Sequence, residues 1–454
     1  MTATPQPHPN LAALLDALGD IPVVTEAATV RKRSRDFFWY SPILNAQLHG
    51  KSADLLVSPR TEAEVMRVAT ACARFGVPIT PRGAATGNYG QAVPLHGGVL
   101  LDLSGLTEVE WVRGGVVRCG PGLVMSDLDA VLAPHGLEQR MHPSTKRRAT
   151  VGGFVAGGSG GIGSITYGGL REAGNIRAAR IVTVEPEPRT IELRGDAAQK
   201  VNRAYGTTGI ITALEMPLAP AFPWVEMIVA FDDFAAAMAF GYAAALADGI
   251  VKKLLSPIAW PLPSFFAEVR SACPEGKAVL VAMVAEQSLE SFKALLGSAG
   301  TITLERPASD APGQTPLYEY TWNHTTLQML KADRGVTYLQ CLFPHDRVLE
   351  SVAEMCAMFP DELLGHCEFI RFGGRITASA LPVIRFSTPE RLDAIMALHE
   401  RHGVSIANPH VMTLEDGSRH KRADADQIGF KREVDPMGLL NPGKMRSFVP
   451  APRA

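Results

Sequence analysis

The chain has 454 residues, 46% of them hydrophobic and 20% charged, with a formal net charge of −2. That length allows two or three domains with ample core, and the near-neutral balance, with no basic run that looks like a phosphate-tracking stripe, argues against nucleic acid as the main partner. No apolar run is long enough to cross a bilayer. The first ten residues lack a signal-like pattern, and the six scattered cysteines form no CxxC pair, so reduced thiols and a cytoplasmic location are expected.

Leu11 to Leu18 reads as a short helix, and the charged passage after it (Arg31, Lys32, Arg33, Arg35) reads as a solvated face. From Asp54 the pattern sharpens. LLVSP is a strand, and Thr61 with Glu64 caps a helix carrying Val65, Val68, Ala69 and Cys72 at helical spacing. VPITP is a second strand that delivers the chain into Arg82-Gly83-Ala84-Ala85-Thr86-Gly87-Asn88. Further short strands and helices lead to Pro143-Ser144-Thr145 and a second small-residue run, Thr150 to Gly163. IRAARIVTVE and GIITALEMPLAP are strong strands, and Pro217, Pro220 and Pro223 then mark a boundary. Beyond it, strand-like runs alternate with Ala-rich helices, which predicts a sheet with helices on one face.

Glycine and alanine bring little side-chain area to a core. Two such runs offer bare backbone N–H groups instead, which can cradle an anion such as a diphosphate. They are read here as opposite walls of one elongated nucleotide cofactor. Gly158 to Gly163 matches GxGxxG literally, with Glu185 about twenty residues on. However, glycines precede it and Tyr167-Gly168-Gly169 stops any long helix after it, so the strand–turn–helix context of a nicotinamide fold is missing.

Several motifs stand in one order: PRGxxTG after a strand, Gly120-Pro121-Gly122, His135-Gly136-Leu137, Pro143-Ser144-Thr145, TVGG, YGG, GTTGIIT and LLNPGKM. This arrangement resembles the vanillyl-alcohol oxidase / p-cresol methylhydroxylase family of flavoproteins. The resemblance is dense from Asp54 to Pro220 and returns at Asp435 to Met445. It implies an α+β fold: a two-part FAD-binding domain (1–222 with a returning segment, 401–454) and a central α+β substrate domain (223–400). The implied cofactor contacts are Arg82 to Asn88, Pro143, Ser144, Thr150, Gly152, Gly153, Ala156, Gly157, Ser159, Gly160, Ile210, Ile211 and Asn441. Thr86 stands where the family often has a histidine bonded to the flavin, and no cysteine lies between Gly120 and Ser271, so non-covalent FAD is expected.

Family members oxidise alcohols, hydroxy acids or phenols by hydride transfer, and a few reduce carbon–carbon double bonds. Such a site needs a proton acceptor and often a cation. Trp322, His324, Tyr338, Arg371 and His410 are the candidates for the substrate side, with Lys146 to Arg148 as a further anion anchor. The metal-binding segment of the family's 2-hydroxy-acid dehydrogenases is absent, so no metal is expected. The alternatives are a flavin-dependent double-bond reductase and a flavin electron-carrier subunit. The expected partners are a small-molecule substrate, an electron-acceptor protein and a second copy of the chain.

Overall fold

The computed structural model describes residues 8–158, 160–311, 313–416 and 423–450. The first sheet contains β1 (Val23–Val24), β2 (Leu55–Val57), β3 (Ile79–Arg82) and β4 (Val99–Asp102), in the order β1-β2-β4-β3. β2, β4 and β3 run parallel. The crossover from β2 to β3 is the helix Glu62–Phe75, whose Thr61 hydroxyl accepts from the Glu64 amide at 3.2 Å. Gly76 ends it in the left-handed region, where only glycine is unstrained. Val65, Val68, Ala69 and Cys72 bury the face expected from their spacing against this sheet.

The second sheet is antiparallel: β5 (Val109–Arg113), β6 (Val116–Cys119), β7 (Leu137–Gln139), β8 (Ala178–Val182), β9 (Thr190–Arg194) and β10 (Ile210–Pro220), ordered β5-β6-β10-β8-β9 with β7 beside β10. Val182, Val184 and Ile210 join the core of the first sheet, so the two sheets share apolar contacts.

Sheet membership changes at the Pro-rich boundary. β11 (Trp224–Phe231), β12 (Lys252–Ile258), β13 (Ala278–Ala285) and β14 (Thr301–Pro307) form a third sheet, ordered β12-β13-β11-β14. Helices cover both of its faces, whereas the sequence pattern predicted one. Phe234–Leu246 and Val348–Met358 lie in one core, and the short turns Leu262–Phe265 and Ala267–Ala272 with Asn323–Leu330 lie in the other. The second layer was hidden because 3-10 turns carry too few residues for a periodicity.

The C-terminal segment returns to the first sheet. Ile79 N–H donates to Leu439 O at 2.8 Å and Asn441 N–H to Ile79 O at 2.7 Å, which adds a short parallel bridge beside β3. Lys431 and Asp435 form a buried pair at 2.5 Å, and the Asp435 carboxylate accepts from the amides of Leu439 and Leu440. That arrangement fixes the turn that brings Asn441 to β3.

Candidate active site

β3 ends at Arg82, and the chain opens into the loop 83–88. Among the described residues, none of the six amides from Gly83 to Asn88 donates to a protein acceptor. Six consecutive donors free of protein acceptors make a row that an anion can satisfy. Ala85 has a φ of +53°, a strained conformation that turns the loop back on itself.

The second wall is a helix, Val151–Gly157, formed despite its glycine content. Thr150 caps it by accepting from Gly153 N–H at 3.2 Å. Val151, Phe154 and Val155 are buried in the core of the second sheet at i, i+3 and i+4, which offsets the poor helix propensity of glycine. The two walls approach closely. A Cβ on Gly83 would overlap Thr150 Oγ1, and Thr145 Oγ1 meets Thr86 Oγ1 at 3.4 Å. Gln91 accepts from Tyr89 N–H and reaches Gly157 O at 3.4 Å, linking the far ends of both walls. Gly153, Ala156 and Gly157 keep accessible surface there. Ser144 is buried in the turn before Thr150, beside the half-buried Pro143.

Several expected cofactor residues do other work. The Arg82 guanidinium turns away from the loop amides to Arg33 O and Gly83 O, and burial with Arg33 alongside lowers its pKa to about 10. Gly152 is a glycine because Pro121 packs against it. Ile210 and Ile211 alternate into the cores of the first and second sheets, which leaves only their backbone for a ligand. Asn441 donates both amide hydrogens, to Gln91 O and Tyr205 O, so it braces the loop. Ser159 lies outside the described residues.

From the other side of the chain, the Trp322 ring comes within 3.6 Å of where a Gly160 Cβ would stand. Trp322 has a φ of +54°, and its N–H donates to Glu368 Oε1 at 2.7 Å. Its indole Nε1 is buried without an acceptor. Beneath it lies a polar cluster that sequence reading missed: Glu368 meets His366 Nε2 at 2.9 Å and accepts from Ser256 Oγ at 3.0 Å, while His366 Nδ1 faces Leu381 O at 3.1 Å. His366 and Glu368 are both fully buried.

His324 follows Trp322 at the start of the helix Asn323–Leu330. Burial lowers its pKa despite the carboxylate of Glu319 close by, so it stays neutral near pH 7. The other three candidates stand in different surroundings. His410 is a strut: Nε2 faces Tyr338 O at 3.0 Å and Nδ1 meets Ser41 Oγ at 2.8 Å, so both ring nitrogens are engaged. Arg371 sits at the turn between the strands Cys367–Phe372 and Arg375–Ala380 and pairs with Asp248 on the surface at 3.0 Å. Tyr338 is fully buried with its ring edge-on to Tyr40, and its hydroxyl lacks an acceptor. Lys146, a further anchor candidate, is consumed by Asp129 at 2.5 Å and Asp310 at 2.6 Å.

That lysine belongs to a second buried network. Tyr318 donates to Asp310 at 2.5 Å, Lys253 pairs with Glu138 at 2.9 Å, and the His142 ring lies edge-on to Tyr318. Burial, with Lys146 and Lys253 nearby, lowers the His142 pKa to about 3. Between that value and about 6.5 the unfolded chain binds a proton that the folded chain does not. Stability therefore falls as pH drops through this window, by at most about 1.4 kcal/mol per pH unit from this group. The variant His142→Asn is expected to show a flatter urea midpoint between pH 6.5 and 4.5 than the parent. Parallel pH curves would reject that role.

Residues 53–191 match the family model of the FAD-binding domain. The chain carries a FAD-binding domain of the p-cresol methylhydroxylase type. FAD is its cofactor, and the loop 83–88 and the helix 151–157 both lie inside the matched range. The chain is 32% identical over 187 residues to the D-lactate dehydrogenase of Anaerostipes hadrus, covering 38% of each chain. It is 27% identical over 205 residues to glycolate oxidase subunit GlcD of Escherichia coli K12, covering 43% of this chain and 41% of that one. The matches thus span about two fifths of these relatives. In fold, the chain is similar to a solved alkyldihydroxyacetonephosphate synthase, with a TM-score of 0.71 and 17% identity over 98% of this chain and 86% of that one. Among the described residues, no helix is long and apolar enough to cross a membrane, and no group of three His, Cys, Asp or Glu could hold a metal.

Proposed function

We propose that the protein is a FAD-dependent oxidoreductase that holds FAD without a covalent bond and oxidises a small hydroxylated substrate, with hydroxy acids foremost. The observation that carries this reading is the run of six unpaired amides at Gly83 to Asn88, set against the capped glycine helix. Support for the substrate class comes from the named activities of the D-lactate dehydrogenase and the glycolate oxidase subunit. Residues 1–222 and 401–454 are assigned to the cofactor and 223–400 to the substrate. Thr86 cannot form the flavin bond of a histidine, which favours non-covalent FAD.

When bound, FAD supplies a two-electron acceptor for the hydride leaving the substrate carbon, and an external oxidant or acceptor protein reoxidises it. The chain's residues do the rest. The amides of 83–88 hold the diphosphate, with Thr86 and Thr145 at the contact between the walls. Trp322 closes the site over Gly160 and excludes water, and its Nε1 has a hydrogen bond to give. His324, kept neutral by burial, takes the hydroxyl proton.

The purified protein should be yellow, and acid precipitation should release FAD into the supernatant. Anaerobic addition of alcohols, hydroxy acids, phenols and enones, one at a time, should bleach the flavin with a hydroxylated compound. Protein that stays colourless after reconstitution with FAD would sink the reading.

A further inference from the structure

We propose that the outer face of the second sheet carries a separate binding site for a small dianion, either a phosphate group or a dicarboxylate. It lies apart from the two flavin walls and does not depend on which substrate the flavin oxidises.

The sheet turns alternate residues to opposite sides. Val117, Cys119, Leu193 and Leu214 face the core that also holds Val151, Phe154 and Val155 of the glycine helix. Their neighbours Arg118, Arg194 and Glu215 therefore point away from that helix. Trp111 pairs with Arg118 and Arg113 with Val116, which sets both β5 side chains on the same outer face. A cavity of about 430 Å³ opens there, lined by Trp111, Arg113, Arg177, Arg194 and Glu215. Its volume is that of a small-molecule site. Gly174 in the wall leaves room for Arg177, since a Cβ there would stand 3.4 Å from Arg177 Nη1.

The cavity wall sets three guanidiniums against one carboxylate. That carboxylate is already shared. Glu215 accepts from Arg118 Nη1 at 2.9 Å and from both terminal nitrogens of Arg194 at 3.1 Å. Further along the face the charges are matched, with Arg118 on Glu110 and Glu192 and Arg180 on Glu192. Arg113 and Arg177 break this pattern. Both are exposed, and no ion pair among the described residues includes either. The Arg113 guanidinium lies over the Trp111 ring, 4.3 Å from its centroid, so an aromatic wall holds it in place. Arg140, near Arg177, is another cation without a carboxylate: it donates to Leu218 O at 3.3 Å and Asn175 Oδ1 at 3.2 Å. Burial lowers its pKa and Arg177 adds to the fall, which marks surplus positive charge on this side. The whole chain carries −2, so the surplus is local.

Two uncommitted guanidiniums from different segments suit a ligand with two negative charges, because each offers paired N–H donors to oxyanion oxygens. A monoanion engages one of them and leaves the other unmatched. The concave wall, drawn from β5, β9, β10 and the residues before β8, encloses a compact ligand better than an extended acidic segment.

The test is calorimetric titration of the FAD-loaded protein at low salt, with inorganic phosphate, succinate and, as a monoanion, acetate. A dianion is expected to bind once per chain with a Kd below about 1 mM, and acetate at least about tenfold more weakly. Either dianion alone supports the site and fixes the ligand class. Arg113→Met and Arg177→Met should each weaken binding about tenfold and the double variant about 100-fold, as for the loss of charge-assisted hydrogen bonds. Arg177→Lys should recover part of the loss. Flavin content and thermal midpoint should match the parent in every variant, since these side chains lie outside the core and the cofactor walls. Absence of binding by both dianions overturns the assignment, as does acetate binding equally well or a double variant that binds like the parent. Binding of an acidic peptide with no response to either small dianion also overturns it, in favour of a protein-docking patch. Flavin lost from the double variant would place these arginines in the cofactor machinery and reject a separate site. Protein that never takes up FAD defeats the oxidoreductase reading alone, because the same titration can then be run on it unchanged.

Discussion

Replacing Gly83 with alanine should yield a folded protein that has lost its flavin. A Cβ at this position would overlap Thr150 Oγ1, so the loop must retreat from the helix it faces. Thr150 cannot easily yield, because its hydroxyl caps that helix at Gly153. Moving the loop separates the amide donors from the opposite wall, and the expected loss in FAD affinity is at least 100-fold, or about 2.7 kcal/mol. Thr150→Ala alone should keep flavin and lose about 1 kcal/mol of stability, the usual worth of a helix cap. The double variant G83A/T150A then tests the geometry. With the hydroxyl gone, the nearest remaining atom is Thr150 Cβ at 3.3 Å, and at least tenfold of the lost affinity should return. Flavin absorbance and fluorescence titration of the apoprotein read all three. Parent-like affinity in G83A would refute the account of the two walls.

The second large effect concerns Glu368. Its Oε1 takes the Trp322 N–H, the Ser256 hydroxyl and the His366 Nε2, all in a buried setting. Glu368→Ala strips these groups of their shared acceptor without admitting water. Breaking a buried charged cluster at one member costs about 3–5 kcal/mol, read as a shift in urea-denaturation free energy. Glu368→Gln keeps an acceptor oxygen and should recover about half of that. The strained backbone of Trp322 depends on the same bond, so flavin bleaching should slow in both variants even where they stay folded. A change below about 1 kcal/mol in Glu368→Ala would show that the cluster is not structural.

The parts legible in the sequence were those whose signal is local. The helix Glu62–Phe75 could be read because a capping pair and a buried face lie within fourteen residues. The loop 83–88 could be read because its composition itself excludes a core role. The helix at 151–157 was hidden by glycine, whose poor propensity was overridden by three residues packing into the second sheet. His410 and Arg371 were chosen by residue type, and type does not reveal that one braces Ser41 and the other pairs with Asp248. His366 and Glu368 escaped notice because their partners Ser256 and Trp322 come from distant segments.

The return of the C-terminal segment sets an order of events during synthesis. Asn441 clasps the carbonyls of Gln91 and Tyr205, and Lys444 holds Gly90 O at 2.6 Å, all flanking the phosphate loop. A growing chain therefore carries an incomplete cradle until residue 444 has left the ribosome, however early the first sheet forms. Shortening the chain before Leu439 should therefore abolish colour before it abolishes folding of the third sheet.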